Sequence, residues 1–469
     1  MLPTAILDRF VERCPAVVMI RATLERLLRP ERLDQIFEQA RQRQYCKQLL
    51  FSQIVALMMS VATRTHKSVH AAYQAGKESL GVSPAALYDK INHIEPQTNS
   101  IVIRQTAADA AKIIDSMQAA KKEILPGLEV FYLDGNHLAA TEHRLAELRV
   151  TREGPLPGQS LALLDAQREL IVDLVPCEDG HAQERSLLPE LLERIVAMMV
   201  IIADRNFCTS KFLFGLAARE AFFVIRQHAS TLHFRLRGRR RRIGKVETGI
   251  VYEQGMELHF EGKTLSVRRI TLWLYAPTES GDKEINIITN LSRKQATALQ
   301  AAEAYGTRWT VEHAFQTLTD VLCCEVKTLG YPQAALFAFS TAVLAYNAYA
   351  VVKAALRATH GRAVIEENLS EYHLMTDVAV TYVGMDIAVP DACWDSYQEM
   401  PPEAFANALT KLAGQVKLSR YPKKKRGPKK PRPTRKSAKQ NHHIATSRVL
   451  AKKREKRPGK GWQQSTLRT

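Results

Sequence analysis

The sequence is poor in cysteine and lacks the composition of fibrous or low-complexity chains. Its 469 residues include seven cysteines, 22 glycines and 20 prolines. The cysteines are scattered, without a CxxC pair or a histidine spacing suited to zinc, which excludes a disulfide scaffold and a structural zinc site. The N-terminus lacks the basic and apolar regions of a secretory signal. These absences predict reduced thiols in a cytoplasmic protein.

Acidic residues are almost absent from the end of the chain. Lys417–Thr469 contains 20 of the 66 Lys and Arg residues and only one of the 48 acids, so the other 416 residues carry 46 basic and 47 acidic side chains. The formal net charge of +18 therefore belongs to this segment. Its low apolar content predicts a disordered tail. Its charge indicates a polyanionic partner, with nucleic acid as the first candidate.

One long stretch without charge is present, from Gln333 to Val352. It contains Ser340, Thr341 and Asn347 and has no flanking aromatic belt. Membrane spans usually carry such aromatic residues at their ends, so a buried core helix is expected here and no membrane partner.

The remaining chain divides into four predicted regions. Residues 1–125 are helical, and a turn at Gly81 followed by Ser83 and Pro84 predicts a helix start. The two predicted helices on either side of this turn suit a helix-turn-helix reader of DNA ends or an ordinary helical bundle. Residues 126–228 and 284–360 alternate strands and helices, which predicts a mixed α/β sheet. Residues 229–283 predict an all-β insertion, and residues 361–416 are mixed.

Three acids stand out by position. Asp134 in FYLDGN and Asp204 in IIADRNF each end a predicted buried strand, and Glu312 lies in YGTRWTVEHAF, within a helical region from Gln295 to Leu322. At about 100° per residue, a single helix would place Tyr305, Arg308 and Glu312 within one sector of about 60°. Converging carboxylates can hold two divalent cations roughly 3.5–4 Å apart for phosphoryl transfer. Mg²⁺ prefers such oxygen ligands.

The run Tyr305-x2-Arg308-x3-Glu312 resembles the C-terminal signature of DDE insertion-sequence transposases of the IS-four family. Asp134 and Asp204 match the first and second aspartates of that family in order and context, at spacings of 70 and 108 residues. The resemblance covers about residues 125–352. It implies a ribonuclease-H-like fold and cleavage and transfer of DNA strands at transposon ends. It also implies two Mg²⁺ ions, for which Mn²⁺ can substitute, and a homodimer on the DNA of a bacterial nucleoid.

The sequence departs from the family at one position. In the signature, six residues separate the glutamate from a lysine. This chain has Thr319 at the position of that lysine. The same helical projection places Thr319 on the flank of Glu312, and Lys327 lies just beyond the helix.

Further DNA contacts are predicted outside the carboxylates. The resemblance implies that Tyr305 and Arg308 contact the DNA backbone, and that Trp273 stacks on an extruded base, although strand tryptophans commonly belong to a core. The cluster Arg235–Arg242, with Arg239 and Arg240 at its centre, predicts a loop that contacts phosphates.

Three alternatives remain from the sequence. The first is a catalytically inactive or repurposed DNA-binding protein with the same fold, which Thr319 favours. The second is a ribonuclease-H-like nuclease without strand transfer. The third, a structural protein with a polycationic tail, leaves the three acids unexplained.

Overall fold

The computed structural model describes residues 2–44, 48–228, 230–278, 281–424 and 443–456. The first part of the chain is helical. Its helices are α1 (Leu2–Arg13), α2 (Pro15–Leu27), α3 (Pro30–Ala40), α4 (Phe51–Ala62), α5 (Val69–Ala75), α6 (Lys77–Leu80), α7 (Pro84–Asn92) and α8 (Pro96–Ser116).

The predicted helix start at Ser83 is present. The Ser83 side chain accepts a hydrogen bond of 3.2 Å from the backbone N–H of Ala86, with proline at the first helical position of α7. Gly81 has a φ of 62°, a left-handed conformation that glycine adopts without steric cost. The apolar side of α7 is buried in the helical core. Because a bundle and a helix-turn-helix share these features, DNA binding by residues 1–125 stays a prediction.

The predicted mixed sheet is confirmed. Its first strands and helices are β1 (Glu129–His137), β2 (Gly154–Leu156), β3 (Gln159–Asp165), β4 (Ile171–Cys177), α9 (Leu188–Leu192), β5 (Met199–Ala203), α10 (Ser210–Ala217) and β6 (Phe222–Arg226). The order in the sheet is β4-β3-β1-β5-β6, with β1, β3 and β4 antiparallel and β1, β5 and β6 parallel. Strand β2 lies outside this sheet.

The strands of the predicted insertion extend the same sheet. They are β7 (His233–Val246), β8 (Gly249–Phe260) and β9 (Lys263–Leu274), and they join the core through β10 (Glu284–Thr289). Strand β10 pairs with β6 on one side and β9 on the other, so the sheet has nine strands within the described residues, and among them β7 lies at its edge. The arginine cluster lies in β7, so the prediction of a loop there is wrong. The pairing of β7 with β8 supplies backbone hydrogen bonds on both sides of a bulge between Arg237 and Arg241, which contains Arg239 and Arg240.

The helical region before the long apolar stretch is divided in two. Helix α11 (Ala298–Gly306) ends before its C-cap Thr307, and α12 (Trp309–Asp320) begins after Arg308, so the single helix assumed for the angular projection is wrong. The Tyr132 hydroxyl on β1 donates a hydrogen bond of 2.7 Å to the Thr307 hydroxyl. This bond ties the break to the sheet.

The apolar stretch forms α13 (Pro332–His360), the 29-residue core helix. It is long and apolar enough to span a membrane, but its most apolar window is fully buried inside the protein, as predicted for a core helix. Asn347 is a polar residue inside this buried helix, and its hydrogen bonds account for its place there. Its side-chain amide exchanges two hydrogen bonds of 2.9 Å with the backbone of Ile171, at the start of β4.

The C-terminal region differs from the prediction. Residues 361–416 form helices, and part of the basic tail is folded. The elements are α14 (Arg362–Asn368), α15 (Glu371–Ala388), α16 (Asp395–Glu399), α17 (Pro402–Ala413), β11 (His443–Ala445) and α18 (Thr446–Lys456). Disorder is therefore a wrong prediction for residues 443–456. Composition suggests disorder there, but β11 pairs with β2, and Arg448 and Lys453 form ion pairs with Asp179 and Glu147. Residues 425–442 and 457–469 lie outside the described residues.

Candidate active site

Two parallel strands bring the first two predicted acids to one edge of their pairing. The register of β1 and β5 ends with Leu133 opposite Ala203, and Asp134 and Asp204 are the next residues on each strand. Strand β1 itself continues to His137, paired with β3. Ligands of open α/β sheets commonly bind at the carboxyl ends of parallel strands. The two aspartates therefore occupy a favourable position for a site.

The third acid reaches the sheet through an arginine. Arg308 precedes α12 and donates a hydrogen bond of 2.7 Å to Glu312, one turn further on. Its other terminal nitrogen lies 3.4 Å from Oδ2 of Asp134. The guanidinium thus bridges a carboxylate of the sheet and one of the helix. Because this i, i+4 contact lies within one turn, it survives the break between α11 and α12.

Electrostatics make Asp134 the unusual acid of the group. The pKa of Asp134 is raised to about 7, mainly by burial and also by the negative charges of Asp204 and Glu184, against the lowering effects of Arg308 and the Gly135 N–H. Burial alone would lower the pKa of Arg308, but Tyr305, Glu312 and Asp134 outweigh it and the pKa is raised. Tyr305 lies beside Arg308 and is largely buried. This burial raises the pKa of its hydroxyl. Asp134 is thus the desolvated acid of the site, and Arg308 is a cation that lies against it.

A fourth carboxylate, which sequence reasoning missed, lies against this group. Glu184 begins a short 3₁₀ turn, and its Oε2 accepts a hydrogen bond of 2.9 Å from the side-chain amide of Asn206. A Cβ added at Gly135 would overlap the Glu184 carboxylate, so the close approach requires glycine there. Glycine next to the strand-end Asp134 is the one signal in the sequence for this approach. Nothing in the sequence identifies Glu184 itself.

The donor set fits a hard cation, although the side chains are not assembled around one. In the part of the chain that the structure describes, no three His, Cys, Asp or Glu side chains lie close enough to share one metal ion. Arg308 lies between Asp134 and Glu312 and forms an ion pair with each of them. The carboxylate oxygens of these acids are the ligand type that Mg²⁺ prefers.

The position of the expected lysine is exposed. The Thr319 hydroxyl donates a hydrogen bond of 3.0 Å to the Phe315 carbonyl, one turn back on α12. Its own carbonyl accepts a bond of 3.2 Å from Arg64, which also donates to the carbonyls of Asp320 and Leu322. Arg64 thus caps the C-terminal end of α12. Lys327 has an exposed side chain, and its carbonyl accepts a bond of 2.9 Å from the backbone N–H of Glu142.

The other predicted DNA contacts lie on the sheet extension. Arg239 is exposed on β7, and Arg240 packs over the Tyr252 ring at 4.3 Å and lies 3.5 Å from Glu284. Trp273 is 47% exposed, so it is not a core residue. It alternates with Leu272, which packs in the core shared with α11, and therefore points away from that core. Stacking of Trp273 on a base stays a prediction.

Comparison with known proteins finds a partial match to a transposase domain. Residues 159–348 match the family model of the transposase DDE domain, a range that includes Asp204 and Glu312 and begins after Asp134. No curated protein matches the sequence. Among solved structures, a piggyBac transposase in a synaptic complex with hairpin DNA has 12% identity and a TM-score of 0.40, with 85% of each chain covered.

Proposed function

We propose that this protein is a transposase of the IS-four type that cleaves DNA at inverted-repeat ends and joins the ends to a target. The observation that carries the proposal is the convergence of Asp134 and Glu312 on Arg308, with Asp204 beside Asp134 on the neighbouring strand. The matched transposase DDE domain supports it independently of Asp134, which lies outside the match.

The strand order supports a ribonuclease-H-like core. Three antiparallel strands are followed by two parallel ones, in the order β4-β3-β1-β5-β6, with the candidate acids on the two central strands and on a later helix. In this proposal, β7, β8 and β9 are an insertion that lengthens the sheet before α12 closes the site.

Asp134, Asp204 and Glu312 would hold two Mg²⁺ ions, for which Mn²⁺ can substitute. Bound there, the ions would activate the attacking oxygen and stabilise the leaving oxygen of the phosphodiester. The protein's own groups orient the DNA. Arg308 and Tyr305 contact the backbone at the cut, and the basic strand β7 adds phosphate contacts. End recognition is assigned to residues 1–125, and two copies of the chain hold the two ends.

A second candidate is a DNA-binding protein that keeps this fold without cleaving. Thr319 favours it, because a hydroxyl at that exposed position cannot neutralise a phosphate as lysine would. Cleavage in the presence of metal separates the two candidates.

The test uses the full chain with the DNA that flanks its own gene. We expect Mg²⁺-dependent strand breaks at paired inverted repeats, followed by joined products. Asp204→Asn and Glu312→Gln should abolish cleavage and leave end binding nearly unchanged, since they remove ligands rather than phosphate contacts. Glu303→Gln is the matched control, because Glu303 is an exposed acid on α11.

Two outcomes would contradict the proposal. End binding without cleavage in Mg²⁺ or Mn²⁺ would identify the DNA-binding alternative. Cleavage without any joined product would identify a nuclease.

A further inference from the structure

We propose that Glu184 is a positioning residue that holds Asp204 in place through Asn206. The inference rests on the proposed function, because it assigns Asp204 to the active site. It concerns a part of the chain, the 3₁₀ turn at Glu184–Leu187, that neither the signature nor the strand pattern includes.

The contact runs through one residue with two donors. The backbone N–H of Asn206 donates a hydrogen bond of 2.7 Å to Oδ1 of Asp204, and its side-chain amide donates one of 2.9 Å to Oε2 of Glu184. Asp204 begins the short turn Arg205–Phe207 and accepts the first of these bonds at its start. The orientation of the Asp204 carboxylate therefore depends on where Asn206 is held.

Glu184 is well suited to hold Asn206, because it has little freedom itself. Its side chain is only 15% exposed and is packed against the backbone of Gly135 on β1. His137, two residues further along β1, lies 3.7 Å from Oε1. Through Glu184, the turn after β5 is thus fastened to β1, the strand that carries Asp134.

Placing a second carboxylate beside Asp134 has an electrostatic disadvantage, since like charges repel. Natural sequences retain such a group where its hydrogen bond is needed, and groups behind a ligand commonly fix the orientation of that ligand. A purely packing role would be served by an uncharged side chain. The hydrogen bond from Asn206 requires the accepting oxygen of Glu184 and not its charge.

Amide and alanine variants separate these roles. Glu184→Gln keeps an oxygen that can accept from Asn206 and removes the charge, whereas Glu184→Ala removes both. Loss of a group that orients a ligand typically costs roughly 10–100-fold in metal affinity or activity. We expect a loss of this size in Glu184→Ala and in Asn206→Ala, and less than about threefold in Glu184→Gln.

The measurements are the Mg²⁺ concentration that gives half-maximal cleavage, and Mg²⁺ binding followed by thermal stabilisation without DNA. The double variant Glu184→Ala, Asn206→Ala should lose no more than either single variant, because both act through one contact. Glu190→Ala is the control. Glu190 lies on the following helix α9 and pairs with Arg194 at 2.5 Å, away from Asp204.

Three results would overturn the inference. Glu184→Gln as defective as Glu184→Ala would mean that the charge acts, as in a metal ligand. If the losses of the two single variants add in the double variant, Glu184 and Asn206 act separately. If the wild type cleaves and Glu184→Ala has the same Mg²⁺ dependence, Glu184 has no positioning role. Absence of cleavage by the wild type would count against the proposed function instead, and the Mg²⁺-binding measurement would still test the positioning.

Discussion

Replacing Asp134 by asparagine should make the protein more stable at neutral and alkaline pH. Burial raises the pKa of Asp134 to about 7 in the folded protein, from an ordinary value of 3.8. Between these two values, the folded protein holds a proton that the unfolded chain has released. Stability therefore falls as the pH rises through this range, and the whole cost is present above pH 7. Asparagine is neutral at every pH and avoids the cost.

The size of the effect follows from the shift in pKa. Each unit corresponds to about 1.36 kcal/mol, so a shift of about three units gives a full cost of about 4 kcal/mol. Between pH 5 and pH 8, the stability of Asp134→Asn should rise relative to wild type by about 2–3 kcal/mol. The ion pair between Asp134 and Arg308 is long, at 3.4 Å, and Arg308 keeps its bond to Glu312 in the variant. Removing this ion pair therefore offsets only part of the gain.

Urea unfolding without divalent cations, followed by circular dichroism at several pH values, measures this difference. Taking the difference between the two proteins at each pH cancels the titration of other groups. Asp395→Asn, at an exposed position of α16, should show no such trend. Added Mg²⁺ should narrow the gap at pH 8, because an ion bound to the folded state stabilises it. A gap that does not change with pH, or wild type more stable at pH 8, would refute the reasoning.

Three further predictions concern DNA. Truncation after Lys424 should flatten the salt dependence of DNA binding, because fewer counterions are released, while discrimination between end and random DNA, measured by competition, is kept. Arg239→Gln with Arg240→Gln should lower the slope of log K against log salt by about 2 and weaken all sequences alike; a sequence-specific loss would contradict this. Thr319→Lys should raise cleavage of cognate ends in a strand-cleavage assay, unless it disturbs the cap from Arg64, in which case activity falls.

The central acids could be predicted because local patterns determine them. A buried strand followed by an acid places that acid where the pairing of the two parallel strands ends, and both Asp134 and Asp204 follow this rule. The pair Arg308 and Glu312 could be predicted because residues four apart share a helix face. Tyr305 is different. It lies across the break between the two helices, so its position beside Arg308 depends on the contact between Thr307 and Tyr132 as well as on spacing.

The rest depends on contacts between distant parts of the chain. Glu184 is placed by a short turn without periodicity, and its partners come from β1 and from the loop after β5. The pairing of β9 with β10, which joins the extension to the core sheet, is not encoded in either strand alone. The segment that forms β11 and α18 has a basic, polar composition typical of disorder. It is ordered because β2 offers an edge to β11 and Asp179 offers a partner to Arg448.

Arg308 links metal binding and DNA binding in the proposed site. A guanidinium bridging Asp134 and Glu312 lets these two acids lie near each other. The same guanidinium is the group expected to contact the DNA backbone. Full contact with a phosphate requires the two terminal nitrogens of Arg308, which are directed at Asp134 and Glu312. When Arg308 turns to the phosphate, the acids lose their cation and need another, since an uncompensated buried charge is costly. We therefore expect DNA to raise the affinity for Mg²⁺ and, because such coupling is reciprocal, Mg²⁺ to raise the affinity for DNA.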